Sequence, residues 1–248
     1  MANNSYSFPM RINQYIALAG ICSRRKADRL VEAGTVRVNG EVAALGKQVY
    51  PLDEVTVGGH KVELPERLAV FAYYKPRGIV CTASDPKIPE NRTLAFVIEH
   101  ELQLPLRVFY AGRLDMDSEG LLLLTNDGIL SQALMRGNNM HEKEYIVRVD
   151  KPVTKEFIRA MSAGLYLEDL DITTRPCVVL PDKKDEHTFS IVLTQGLNRQ
   201  IRRMCATLGY KAERIRRVRI LNVTTKGMAP GDCRELLPDE LDELYKLS

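Results

Sequence analysis

Apolar positions along the chain first follow a helical period and then a strand period. Ile12, Tyr15, Ile16 and Ala19 share one face of a helix that Gly20 ends. Ala27, Leu30 and Val31 line a second helix, which Ser23 is placed to cap and Gly34 to close. The spacing then drops to two. Val36 and Val38, the turn pair Asn39-Gly40, and Val42 predict a hairpin, and Glu54 to Val57 a further strand ending at Gly58-Gly59. Charged residues and Pro65 between Leu64 and Leu68 read as a short linker.

Beyond the linker, strand-like runs dominate. Val70–Tyr74 reads as a strand, Lys75-Pro76-Arg77-Gly78 as a turn and Ile79–Thr82 as the returning strand. Further strands are predicted at Val108–Tyr110, Leu121–Thr125, Glu144–Val149, Thr174–Leu180, Phe189–Thr194 and Ile215–Val223. Helices are predicted near Leu94–Glu101, Leu130–Met135, Lys155–Met161 and Arg199–Thr207. Strands outnumber helices and come in hairpin-like pairs, so the expectation is an α+β domain on a mostly antiparallel sheet. Leu121 to Leu124 form a continuous apolar run, best explained as a strand buried on both faces.

Composition narrows the class. At 248 residues the chain is long enough for one large domain, or for a large domain with a small one. It has no run of about 18 apolar residues and no apolar leader, which predicts a cytoplasmic protein without a membrane span. Cys22, Cys81, Cys177, Cys205 and Cys233 are odd in number and scattered, which suggests neither a disulfide framework nor a zinc site.

The net charge of +3 conceals an uneven map. Between Arg11 and Asn39 there are six basic residues (Arg11, Arg24, Arg25, Lys26, Arg29, Arg37) against two acidic ones. Between Asn198 and Arg219 there are eight (Arg199, Arg202, Arg203, Lys211, Arg214, Arg216, Arg217, Arg219) against Glu213 alone. Basic patches of this kind on a nearly neutral chain point to a polyanion held in a defined place.

The most informative segment is 111–127, a glycine-rich charged turn running into the apolar strand. It presents Asp115 on a loop with a rigid floor, with Gly112 and Gly120 free to bend or approach a ligand. Asp115, Asp117, Glu119 and Gly120 match early places of a calcium loop, but its twelfth place is Asn126 instead of a bidentate Glu. Gly40 to Gly46-Lys47 has five intervening residues and Gln48 in place of Ser or Thr, so a phosphate-binding loop fails too. His60, His100, His141 and His187 are isolated. A second constellation, Gln195 to Met204, opens a basic helix from which one arginine can turn toward Asp115 while others meet phosphate.

Two resemblances follow from these residues. Arg11 to Ala27, with Ser23-Arg24-Arg25-Lys26, followed by Val36-Arg37-Val38-Asn39-Gly40, resembles the S-four RNA-binding domain of a small-subunit ribosomal protein and of tyrosyl-tRNA synthetases, over residues 9–66. It implies RNA contact by Arg11, Ser23, Arg24, Arg25, Lys26, Arg29 and Arg37. Three further segments are similar to the signatures of the RsuA-type RNA pseudouridine synthases. They are Gly112-Arg113-Leu114-Asp115 through Gly120-Leu121, Glu142-Lys143-Glu144-Tyr145, and Gly196-Leu197-Asn198-Arg199-Gln200-Ile201-Arg202-Arg203-Met204. The last segment most resembles the RluF-like branch.

This second resemblance implies a pseudouridine synthase fold over residues 69–240. It also implies isomerisation of a flipped-out uridine in RNA with no cofactor and no metal. The implied substrate is large-subunit ribosomal RNA, with a tRNA as a second candidate, and the protein is expected to be a monomer. By match to the family motifs, Asp115 is the catalytic carboxylate, Tyr145 the stacking residue and Arg202 the salt-bridge partner of Asp115. Arg113, Ile215, Lys143, Asn198, Arg199 and Arg203 would bind the substrate. The competing expectation is a non-catalytic ribosomal-RNA-binding protein. Against it stands a carboxylate placed among phosphate-binding arginines, where it would only weaken binding.

Overall fold

In a computed structural model, residues 6–82, 86–135 and 140–247 are described. They form two compact units. The first comprises the chain up to Ala69 together with Leu104–Val108 and Thr125–Gly128. It holds β1 (Met10–Arg11), α1 (Ile12–Leu18), α2 (Arg24–Glu32), β2 (Val36–Val38), β3 (Glu41–Val42), β4 (Gln48–Val49), β5 (Val55–Val57) and β6 (His60–Val62). Strands β3-β2-β5-β6 make an antiparallel sheet, and β1 pairs with β4.

The local rules act as the sequence predicts. The Ser23 hydroxyl accepts from the Lys26 N–H at the start of α2. Asn39 and Gly40, both at positive φ, turn β2 into β3. Ile12, Ile16, Ala27, Val36, Val49 and Val55 form the interior. Arg11, Ser23, Arg24, Arg25, Lys26, Arg29 and Arg37 all remain exposed. Strands β1, β4 and β6 escape a reading by periodicity, because two or three residues are too few to show one.

The second unit contains β7 (Val70–Lys75), α3 (Leu94–Phe96) with a π-helical continuation Val97–Glu101, β8 (Phe109–Ala111), β9 (Glu119–Thr125) up to Leu124, α4 (Gly128–Met135) from Ile129, and β10 (Lys143–Val149). Then come α5 (Lys155–Ala163), β11 (Tyr166–Leu167), β12 (Ile172–Thr173), β13 (Val178–Pro181), β14 (Thr188–Leu193), α6 (Gln200–Thr207) and β15 (Ala212–Ile220). β16 (Val223–Thr224), β17 (Cys233–Glu235) and α7 (Pro238–Leu247) complete it.

Its nine-stranded sheet has the order β13-β14-β10-β15-β9-β7-β17, with β16 on β15 and β8 on β9. The sheet is mostly antiparallel, but β15 runs parallel to β9 through Arg216↔Glu119 and Arg217↔Gly120. All seven residues of β9 are buried, as its apolar run requires. One apolar cluster gathers Val147, Phe157, Phe189, Ile191 and Met204. Another gathers Leu121, Leu123, Leu130, Ile220 and Leu244.

Three expectations need correcting. Ile79–Thr82 does not return as a strand. Its single ladder contact is an isolated bridge from Val80 to Thr93, because both sides of β7 are taken by β9 and β17. Ile215–Val223 is not one strand: Leu221, at φ 49°, breaks it and β16 folds back on β15. The Thr174–Leu180 strand begins only at Val178, since Thr174 bonds to Leu165 and Cys177 to Ser162 instead. Helix α7 escaped prediction, although Pro238 at its first position and Asp239 and Glu240 in its first turn are recognisable start signals.

Candidate active site

The turn bearing Asp115 is built from below. The Lys75 side chain, at the end of β7, is fully buried and donates through Nζ to the carbonyls of Pro76 (2.8 Å) and Ile79 (2.9 Å). These bonds fix the following loop, whose Gly78 N–H donates to the Met116 carbonyl at 2.7 Å. Burial pushes the Lys75 ammonium down to about 8, with the Arg217 guanidinium acting in the same direction. Within the turn, the Ser118 N–H donates to the Asp115 carbonyl at 3.1 Å, and the Leu114 N–H donates to the Cys81 sulfur. Asp115 is thus held by backbone bonds on both sides while its side chain stays 33% exposed.

Gly120 anchors the turn to the sheet. At φ +108°, its position leaves no room for a side chain: a Cβ there would lie 2.2 Å from the Arg217 carbonyl oxygen and 2.8 Å from its nitrogen. The glycine therefore permits the parallel contact of β9 with β15.

Basic side chains of the 198–203 segment meet the turn. Arg199, at φ 50° just ahead of α6, lies 3.7 Å from the Asp115 carboxylate and 3.4 Å from that of Asp117. Arg202 pairs with Asp117 at 3.0 Å and donates to the backbone carbonyls of Asp117 (3.3 Å) and Ala212 (2.7 Å). The expected Arg202–Asp115 bridge is thus replaced by Arg202–Asp117. The first turn of α6 packs beside the start of β15, where the Ala212 carbonyl and Asp117 occupy this guanidinium. Arg203 does not line the cavity. It clamps Asn198 through the backbone carbonyl (2.8 Å) and side-chain oxygen (3.1 Å) and pairs with Asp169. That fixes the loop carrying Asn198.

A cavity of about 450 Å³ opens between these segments and the sheet. Asp115, Tyr145, Arg202, Arg113, Ile215, Lys143, Asn198 and Arg199 all line it. Tyr145 projects from β10 opposite Ile191 and Arg217, and Ile215 is a buried wall. Lys143 donates to the His141 carbonyl at 3.3 Å, and burial, with the charge of Arg217, pushes its ammonium down to about 8. Burial likewise lowers His141, whose Nε2 faces the Ala133 carbonyl. Among the described residues no group of His, Cys, Asp and Glu is arranged to hold a metal ion.

Sequence reasoning missed Lys75 and Arg217. Arg217 entered only as one charge of a basic patch, yet it lies two residues beyond Ile215 on β15 and so shares its face. Lys75 carried no signal beyond its place before a turn, because a fully buried lysine contradicts the usual rule for that residue.

Residues 69–207 match the RNA pseudouridylate synthase family and residues 10–55 the S4 domain. The chain is 47% identical to the dual-specificity RNA pseudouridine synthase RluF of Escherichia coli K12, over 96% of this chain and 79% of that protein. It is 37% identical to the ribosomal large subunit pseudouridine synthase B of Bacillus subtilis, over 96% of both. A pseudouridylate synthase of known crystal structure superposes with a TM-score of 0.66 at 28% identity, covering 95% of this chain and 99% of that one. Similar along nearly its whole length, the chain belongs to the RNA pseudouridine synthases of the RsuA type.

Proposed function

We propose that this enzyme converts a specific uridine of large-subunit ribosomal RNA to pseudouridine, with residues 69–240 carrying the reaction and residues 9–66 docking the RNA. One observation carries the reading: Asp115, Tyr145 and two arginines, Arg199 and Arg202, converge on a single cavity. In the reaction the C1′–N1 bond breaks, the uracil turns, and a C1′–C5 bond forms as C5 loses a proton and N1 gains one. Asp115 is the catalytic carboxylate at the ribose, either bonding to C1′ or taking a neighbouring proton. Tyr145 stacks on the extracted base. Such stacking is worth about 1–3 kcal/mol, which offsets the few kcal/mol that leaving the RNA stack costs. Arg113 and Arg199, exposed at the cavity mouth, meet the flanking phosphates. Arg202 and Arg203 position Asp117 and Asn198.

A pure binding protein has no use for such a cavity. The Escherichia coli relative is named dual-specificity, which supports a tRNA as a second substrate to be tested beside the ribosomal one. Among the described residues no helix is long and apolar enough to cross a membrane, in keeping with action in the cytoplasm. Mapping pseudouridines in total RNA with and without the gene tests the proposal. Loss of modification at one or a few large-subunit uridines is expected, and an unchanged map would refute it.

Two further outcomes follow. Arg24→Ala with Arg25→Ala removes two exposed charges of α2. It is expected to reduce the slope of log affinity against log salt by about 1.5; an unchanged slope would remove these residues from the interface. Lys143 is charged below about pH 8 and neutral above. RNA affinity is therefore expected to fall by roughly tenfold between about pH 7 and 9 as one charged contact is lost. Lys143→Arg, always charged, should flatten this limb, and a limb that persists in that variant belongs to another group.

A further inference from the structure

We propose that Arg217 is a further catalytic residue, whose free Nη2 donates to a carbonyl oxygen of the detached uracil and stabilises the negative charge the base carries before it is rejoined. The inference rests on the reading of the cavity as a uridine site.

Arg217 is 3% exposed, yet it lines the cavity. Its Nε donates to the Leu121 carbonyl at 2.7 Å and its Nη1 to the Arg113 carbonyl at 3.4 Å. Nη2 is buried and meets no partner among the described residues. No described carboxylate pairs with this guanidinium, whose protein contacts are two neutral carbonyls. A buried charge without a counter-ion is costly to the fold. The neighbouring cations Lys75 and Lys143 add repulsion. The fold nevertheless locks the side chain in place, between Gly120 on one side in the sheet and Tyr145 on the other. Of the lining residues Arg202 likewise keeps one buried nitrogen, Nε, without a partner, but it is paired with Asp117. The spare donor of the uncompensated Arg217 calls for an acceptor that arrives with the ligand.

Depth selects which part of the ligand. Asp115 is one-third exposed, and Arg113 and Arg199 are exposed, which suits ribose and phosphates at the mouth. Arg217 lies beneath, opposite the residue on which the base stacks. When the C1′–N1 bond breaks, its electron pair leaves with the uracil and spreads from N1 onto the carbonyl oxygens. C1′ is compensated by Asp115, through a new bond or through proton loss next to it. C5 then attacks C1′ with the base's electron pair as the Asp115–C1′ bond breaks, or as the neighbouring proton returns from Asp115, and the C5 proton departs while N1 takes one up. No outside oxidant or reductant is needed. A fixed guanidinium at the carbonyl binds the anionic base more strongly than the neutral one, and that difference is what accelerates the reaction.

Single-turnover conversion by wild type and Arg217→Met can be compared on transcripts carrying uridine, 2-thiouridine or 4-thiouridine at the target. On uridine the variant is expected to lose about 100-fold or more in rate, with RNA affinity within about threefold of wild type. On one of the two thiouridines, whose sulfur is a weak acceptor, the difference should shrink to less than about tenfold. Equal losses on all three substrates, or a small loss on uridine, would overturn the assignment. If loss of the Nε and Nη1 bonds unfolds the Met variant, the wild-type complex with RNA carrying 5-fluorouridine decides. A base oxygen within about 3.2 Å of Nη2 supports the role, and a phosphate there refutes it. Wild-type protein that converts no uridine would sink the proposed function and this role with it. Conversion with equal losses would remove Arg217 alone.

Discussion

Asp115→Asn is expected to lower pseudouridine formation by about 10⁴-fold or more, the order seen when a reacting side chain is removed, with RNA affinity within about threefold of wild type. The amide keeps the shape of the carboxylate but can neither bond to C1′ nor accept a proton. The turn should survive, because its hydrogen bonds run through the backbone of Asp115, Met116 and Ser118 and not through this side chain. The neighbouring Asp117 supplies the contrast. It faces Arg199 at 3.4 Å and Arg202 at 3.0 Å, so its role is to hold those arginines. Asp117→Asn should lose only about 10- to 100-fold, the range for a displaced positioning group. Release of tritium from RNA labelled at uracil C5 measures both variants. Equal losses in the two would mean that the reacting carboxylate has been misassigned.

Gly120→Ala should be among the most damaging single-methyl changes in the protein. Its new Cβ would press on the Arg217 backbone at 2.2 Å, and neither strand can yield without breaking the β9–β15 pairing. Overpacking costs about 1–3 kcal/mol and the left-handed backbone about 1–2 more. Together that predicts a fall of roughly 6–15 °C in the unfolding transition of this unit. Gly112 is the control. Its φ is +87°, but a Cβ there meets nothing within 4 Å, so Gly112→Ala should cost about 1–2 kcal/mol from the backbone alone. Similar unfolding temperatures for the two variants would contradict the close approach of β9 and β15.

The two substitutions also show what was legible in the sequence. Period and turn chemistry exposed the helix pair, the Asn39-Gly40 hairpin and the buried β9, because each is decided by neighbours along the chain. The family motifs pointed to Asp115, Tyr145, Arg199 and Arg202, which share the cavity, and to Arg203, which does not line it. Neither could show which arginine meets which carboxylate. That depends on the left-handed Arg199 and on the Ala212 carbonyl, a partner ten residues from Arg202 that only the sheet brings near. Lys75 and Arg217 stayed hidden for a related reason. A lysine or arginine in sequence reads as surface, and only the packed sheet shows that these two are interior charges. The Ile79–Thr82 strand failed because a run can look like a strand while both sheet edges it needs are already occupied.

The most direct test is carbodiimide mapping of a large-subunit ribosomal RNA transcript after incubation with the purified wild-type protein in buffer with no added cofactor. A new adduct stop at a discrete uridine, absent with Asp115→Asn, is the result predicted. A transcript unchanged by wild type, under conditions where the protein demonstrably binds it, would contradict the account.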